Sequence, residues 1–322
     1  MDSKIYYRWP TFNVSELIQD MPSKALIIAP EEYEVMPNWN HHPEFNQLHD
    51  IDLTILFGSA NLEYHYAIRH QYPKNAKVIL WPTYWMTYTY HRCKDLTIEH
   101  KPIDKLFLSL NNKGHYHRCF MFDELYKNGL FEHSALSMHD PNWSSYLWKY
   151  WTPTKLTLDK HYEENLDSWK AIPDEFSNTL ISLIAESNLD TVFITEKTAM
   201  AILFSRPFIV FGAFGFHRTL KNLGFELYDE IFDYSFDEEF RSSDRLQGLI
   251  ENLKRLAGQD YNSIRSKLAE KIEYNKNHMI KISTSRKYVP KEMLDHLENL
   301  KINNDSSLQA AGYLNLEKNF ID

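Results

Sequence analysis

The chain has 322 residues with 43% apolar and 15% aromatic content, enough for two α/β domains with their own cores and too apolar for a disordered tail or a fibre. Glycine is scarce at 9 residues beside 20 Tyr, 19 Phe and 8 Trp, which points to bulky packing and away from a repeat-built or loop-dominated fold. The net charge of −9, with Lys and Arg scattered, argues against tight unspecific duplex binding without excluding a nucleic-acid acceptor.

The start, MDSKIYYRWP, shows no basic segment leading into an apolar run, so the protein is expected to be cytoplasmic, in a cell or a virus-infected host, and not secreted. Three short apolar runs then read as buried parallel strands: Ala25 to Ala29 ended by Pro30, Leu53 to Phe57 ended by Gly58, and Val78 to Trp81 ended by Pro82. Asp50-Ile51-Asp52 imitates a diphosphate-metal motif, but it precedes its strand instead of following it, so no metal is expected there. His41, His42 and His49 cluster without a spacing that establishes a zinc site, and they read as surface or acceptor-loop residues. Trp81, Tyr84, Trp85, Tyr88 and Tyr90 suit either a sugar-stacking platform or core packing. Cys93 and Cys119 fit two free thiols.

A second domain opens near Ile103. Lys105 to Leu110 makes a strand, Asn111 to Gly114 a turn, and Phe122, Leu125 and Tyr126 a helix stopped by Gly129. Thr179 to Ile184 and Pro207 to Gly212 are further strands flanking a helix over Glu196 to Phe204, the spacing of a parallel crossover. Leu246, Leu249, Ile250, Leu253 and Leu256 stripe one amphipathic helix, and Ile264, Leu268 and Ile272 the next. The greasy stretch from Ala199 to Phe216 is interrupted by Ser205-Arg206-Pro207 and is too short on either side to span a bilayer. The last 25 or so residues read as loosely ordered.

The chemistry concentrates between Leu180 and Gly212. A buried strand runs into Glu186-Ser187-Asn188, a polar loop follows, and Thr195 caps a helix whose first turn carries Glu196 and Lys197 beside free amides and the positive dipole end. That turn offers a carboxylate for ribose hydroxyls and an ammonium for phosphate charge.

These elements resemble the family 10 α-1,3/4-fucosyltransferases and related phage and viral glycosyltransferases over about residues 104–240. Ile184-Ala-Glu-Ser-Asn188, Phe193-Ile-Thr-Glu-Lys197 and Arg206 to Gly212 match the family's donor-site pattern, and Leu106 to Arg118 matches its upstream strand, loop and arginine. The resemblance implies an α/β, GT-B-like fold of two Rossmann-type domains facing across a cleft. The expected division is an acceptor-side domain over 1–102, a nucleotide-sugar domain over 103–285, and a tail over 286–322 packing back on the first domain. It further implies a soluble, metal-independent, inverting glycosyltransferase with no cofactor. The donor is a nucleoside-diphosphate sugar, GDP-sugar favoured and UDP-sugar open, and the acceptor a hydroxyl, with a glycan favoured. Arg118 and Lys197 would hold the diphosphate and Glu196 the ribose, with Glu186, Asn188, Phe193 and Thr195 completing the donor-binding set. Glu31, Glu32 and Glu63 are the candidates for the catalytic base, as carboxylates near the ends of first-domain strands. Two departures stand out: Phe193 replaces a tyrosine and loses its hydroxyl, and Glu186-Ser187-Asn188 replaces a Glu-Asn pair. The alternatives are a viral-type transferase acting on hydroxymethylated DNA bases, an inactive nucleotide-binding or virion-associated protein, and a phosphorylase-like enzyme.

Overall fold

The structure, a computed structural model, describes residues 3–7, 17, 19–20, 22–29, 48, 50–60, 75–99, 101–154, 156, 158 and 172–295. Contacts within the chain divide it into two compact units, Met1–His91 with Lys281–Asp322, and Arg92–Ile280. The connecting residues are already hydrogen-bonded into the second unit: Lys101 N donates to Ser177 O at 3.1 Å, Asp104 N to Asn178 O at 3.0 Å, and Ile103 N to Asn262 Oδ1 at 3.1 Å.

Unit 1 holds one parallel sheet in the order β1 (Ser3–Tyr7), β2 (Lys24–Ala29), β3 (Asp52–Phe57), β4 (Lys77–Leu80). Ala25, Ile27, Leu53, Ile55 and Phe57 pack with Leu17, Leu48, Ile51 and Ala76 into its core, each large side chain contributing roughly 1.5–3 kcal/mol of burial. Helix α1 (Tyr84–Cys93) follows β4. Trp81, Tyr84 and Trp85 are buried, and Tyr84 meets Trp81 and Trp85 edge-on at 5.3 and 5.4 Å. These three aromatics are therefore core packing. Asp52 opens β3 with its carboxylate 3.8 Å from Lys24 Nζ. The described start of the C-terminal segment lies on this unit: Ser283 O meets a His91 ring nitrogen at 3.1 Å, and Glu292 is ion-paired with Lys77.

Unit 2 holds a parallel sheet in the order β6-β5-β7-β8, with β5 at Lys105–Lys113, β6 at Ser134–Asp140, β7 at Thr179–Ala185 and β8 at Phe208–Phe211. Every residue of β7 and β8 is buried, as a parallel sheet covered on both faces requires. The expected turn at Asn111–Gly114 is displaced, because Asn111 and Lys113 still pair with Met138 and Asp140 of β6. At Gly114 an added Cβ would lie 2.8 Å from Asp140 O, so only glycine lets the two strand ends approach this closely.

Helix α2 (Tyr116–Lys127) links β5 to β6 and ends as expected at Gly129, in the left-handed region with φ 70°. Helix α3 (Glu196–Leu203) links β7 to β8. After it, just before β8, the buried Arg206 ties that connection to β7 and the turn leading into it, donating to Ser182 Oγ at 3.1 Å, Thr179 Oγ1 at 2.5 Å, Ile181 O at 3.0 Å and Phe176 O. Helices α4 (Phe216–Asn222), α5 (Ser242–Leu256), α6 (Tyr261–Lys267) and α7 (Ala269–Thr284) follow β8, and a single helical turn, Glu175–Asn178, leads into β7. The α5 stripe is buried as its spacing implies, whereas the next predicted helix breaks at Leu268 into α6 and α7. None of the described helices is long and apolar enough to cross a membrane.

Candidate functional site

In unit 2 the chain winds from β5 outward to β6, then returns to start β7 on the other side of β5 and continues outward to β8. The direction of winding reverses between β5 and β7. Beyond the carboxyl ends of two such strands the following loops part in opposite directions and leave a crevice. Lys113 ends β5 there and Gly114 to Arg118 follow it, while Glu186 to Lys197 follow β7.

The β7 side is built around a buried carboxylate. Glu186, 1% exposed, accepts from Thr195 Oγ1 at 2.6 Å, Thr198 Oγ1 at 2.9 Å and Thr195 N at 3.3 Å. Burial raises its pKa, and the Lys197 charge and the threonine hydroxyls oppose that rise. Thr195 in turn accepts from Lys197 N at 3.3 Å, the N-cap expected from the sequence. Glu186 thus fixes the first turn of α3. That turn presents Glu196 and Lys197, their charged ends 3.3 Å apart and both partly exposed.

The β5 side brings cations. Arg118 is 4% exposed and bridges the two strands, with Nη1 donating to Lys113 O at 3.3 Å and Nη2 to Ser187 Oγ at 2.9 Å. Its Nε is buried with no hydrogen-bond partner among the described residues. Lys113 lies with Nζ 3.9 Å from the centre of the Trp143 ring. His115 and His117 stack at 6.0 Å with planes 9° apart, and a His117 ring nitrogen meets Glu186 O at 2.6 Å. Burial, followed by the charges of Arg118, Lys113 and Lys197, holds His115 down at about 4. Burial likewise holds His117 at about 4, against the opposing bond to Glu186. The crevice thus gathers three cations and two imidazoles held neutral, with Glu196 beside Lys197 and Glu186 buried behind the α3 turn, a distribution whose cationic side can attract an anion.

The structure brings together Arg118, Glu186, Thr195, Glu196 and Lys197. Asn188 turns its Oδ1 back to accept from Asp190 N at 2.6 Å, and Phe193 is buried. Glu31, Glu32 and Glu63, with His41, His42 and His49, lie outside the described residues. Sequence reasoning missed Lys113, His115, His117 and Trp143. The available signal was the K-G-H-Y-H-R run at a strand's carboxyl end. A buried His217–Asp237 pair, 2.9 Å apart, imitates a catalytic dyad. Its other ring nitrogen accepts from Val210 N at 3.1 Å, so the pair anchors β8. Among the described residues no group of three or more His, Cys, Asp or Glu side chains could hold a metal ion.

Fold and site together define an α/β protein with parallel sheets and a crevice that gathers cations at a strand-order reversal. Among solved structures the chain is similar to bacteriophage T4 BGT in complex with its UDP-glucose substrate, with a TM-score of 0.48 and 11% identity over 87% of this chain and 79% of that one. A mutant of the same T4 enzyme with UDP-glucose gives a TM-score of 0.47 and 13% identity over 81% and 71%. A structure described as the DNA modifying enzyme β-glucosyltransferase, in the presence and absence of uridine diphosphoglucose, gives 0.43 and 14% over 86% and 80%. No protein-family model and no curated protein matches the chain.

Proposed function

We propose that this chain is an inverting, metal-independent glycosyltransferase in which unit 2 binds a nucleoside-diphosphate sugar and a hydroxyl acceptor attacks the anomeric carbon as the diphosphate leaves. The observation that carries this reading is the convergence of Lys113, Arg118 and Lys197 on the β5/β7 crevice. In this reading Arg118 and Lys197 hold the diphosphate, where fixed cations stabilise the charge that grows on departure. Glu196 accepts from the ribose hydroxyls. Glu186 and Thr195 hold α3 in place, and Phe193 supports it from the core. The acceptor's proton goes to a carboxylate of unit 1, for which Glu31, Glu32 and Glu63 are the candidates. A GT-B-type pairing of the two units belongs to the same proposal.

The donor and acceptor class named for the phage structures, UDP-glucose and DNA, are the first pair to test, ahead of a GDP-sugar and a glycan. The likeness orders the assays, and the cation cluster carries the reading. The experiment offers labelled UDP-glucose and GDP-sugars, with EDTA present, to DNA containing hydroxymethylated bases, to unmodified DNA and to glycans. Label transferred to the modified DNA from UDP-glucose establishes the viral-type reading, and label on glycans from a GDP-sugar returns the fucosyltransferase-like one. Binding of neither nucleotide sugar sinks both.

A further inference from the structure

We propose that His115 is a ligand of the donor's diphosphate and takes up a proton as a nucleotide sugar enters the β5/β7 crevice; this rests on the donor-site reading above. His115 precedes α2 at its N-cap position and makes no capping bond to the helix through its side chain. Its ring stacks on His117 at 6.0 Å and meets Trp143 edge-on at 6.3 Å. Among the described residues, the charges that act on it are Lys113 from the end of β5, Arg118 from α2 and Lys197 from α3. His117, the other titratable group beside it, is engaged with the Glu186 carbonyl. The carboxylates nearby are committed, Glu186 to its threonine hydroxyls and Glu196 to Lys197. Independently of the histidines, the buried Arg118 keeps an Nε donor that no described residue satisfies. Such a donor, nine-tenths buried and set between the two strand ends, is available to the oxygen of a bound anion.

The chemistry follows from charge balance. Burial and the three cations hold His115 neutral, at about 4. A bound diphosphate cancels those cations, so the imidazole regains its affinity for a proton and can donate a hydrogen bond from the protonated ring to a phosphate oxygen. The proton comes from solvent and remains on His115, and no covalent bond is made. Linkage fixes the sign: a group protonated in the complex and neutral in the free protein makes the ligand bind more tightly as pH falls, by up to about tenfold per pH unit between the bound and free pKa values.

The test is calorimetric titration of the full chain with UDP-glucose, acceptor omitted, near pH 6.5 in buffers of different ionisation enthalpy. UDP-glucose carries its phosphates as a diester, with no group titrating near neutrality, so the buffer-dependent heat reports protons exchanged by the protein. The expected result is net uptake of up to about one proton in the wild type, lost in His115→Gln and His115→Asn, with affinity that tightens several-fold on acidification only in the wild type. Binding without buffer-dependent heat overturns the inference while leaving the donor site standing. Uptake that persists in both His115 variants and disappears in His117→Gln also overturns it. If neither UDP-glucose nor a GDP-sugar binds, the donor reading falls and this inference with it.

Discussion

Arg118 and Lys197 reach the same crevice from opposite strands, but under different constraints. The guanidinium is buried and pinned at two corners, so its removal leaves Ser187 and the Lys113 carbonyl to find new partners, whereas the lysine is partly exposed and replaceable at little structural cost. Each of Arg118→Ala and Lys197→Ala is expected to lose roughly 1.5–3 kcal/mol of charged hydrogen bonding to a diphosphate, read as weaker UDP-glucose or GDP-sugar binding by calorimetry. Unchanged affinity in both folded variants removes the site assignment. Asp123 illustrates a carboxylate with a purely structural task. It accepts from the backbone N–H groups of Lys149, Tyr150 and Trp151 and from the Tyr146 hydroxyl, all within 2.8–3.0 Å. Burial pushes its pKa up, but these four donors together outweigh burial and leave it below the usual value. A carboxylate depressed on folding stabilises above its unfolded pKa and loses that contribution as pH falls through the folded one. Asp123→Asn should therefore cost about 1.5–3 kcal/mol at neutral pH, a difference from wild type that urea titrations at decreasing pH should see shrink below about pH 4. At this scale the sequence made Arg118, Thr195, Glu196 and Lys197 legible because each sits next to a strand or helix boundary. His115 and His117 stayed hidden because histidine is frequent here and its role depends on which cations the fold folds against it.

Helix α3 is the element on which the site turns. One hydroxyl, Thr195 Oγ1, both accepts from Lys197 N and donates to Glu186, so capping of the helix and anchoring of the buried carboxylate are the same contact. Thr195→Val keeps the shape and deletes both bonds. We expect it to lower stability by about 1–3 kcal/mol in denaturant titrations and to weaken nucleotide-sugar binding by loosening the turn that carries Lys197. Equal stability with unaltered binding would show that Glu186 does not govern the helix start. Element by element, β2, β3, β4, β5, β7, β8, α3 and α5 are readable from continuous apolar runs and caps. Strand β6, Ser-Ala-Leu-Ser-Met-His-Asp, is not, because its polar residues are tolerated at the edge of the sheet, where pairing with β5 alone supplies the strand. The Leu268 break escaped for the opposite reason: Ile264, Leu268 and Ile272 are all buried, and a continuous apolar stripe gives no sign of where the backbone bends beneath it.

At the scale of the molecule the two units differ in how they use the chain. Unit 2 is one uninterrupted stretch, Arg92–Ile280, with its own parallel sheet and all of the described crevice. Expressed as residues 92–280, it should fold cooperatively in denaturant and bind the same nucleotide sugar as the full chain, while transferring no sugar. A fragment that stays unfolded would make the two units thermodynamically inseparable. That the chain holds two α/β units was readable from its length and its two sets of apolar runs. That a late segment returns to the early unit is an expectation the family resemblance carries and no local pattern does, since the contacts involved, from Ser283 and Glu292 to His91 and Lys77, join residues far apart in sequence.

This discontinuity sets an order of events on the ribosome. Translation delivers the whole sheet of unit 1 first but withholds the segment beginning at Lys281, so the early unit must wait without it while all of unit 2 emerges behind. The half built around the cation crevice matures first, and the half that starts first is finished last, which makes the early strands the stretch most in need of a chaperone during synthesis.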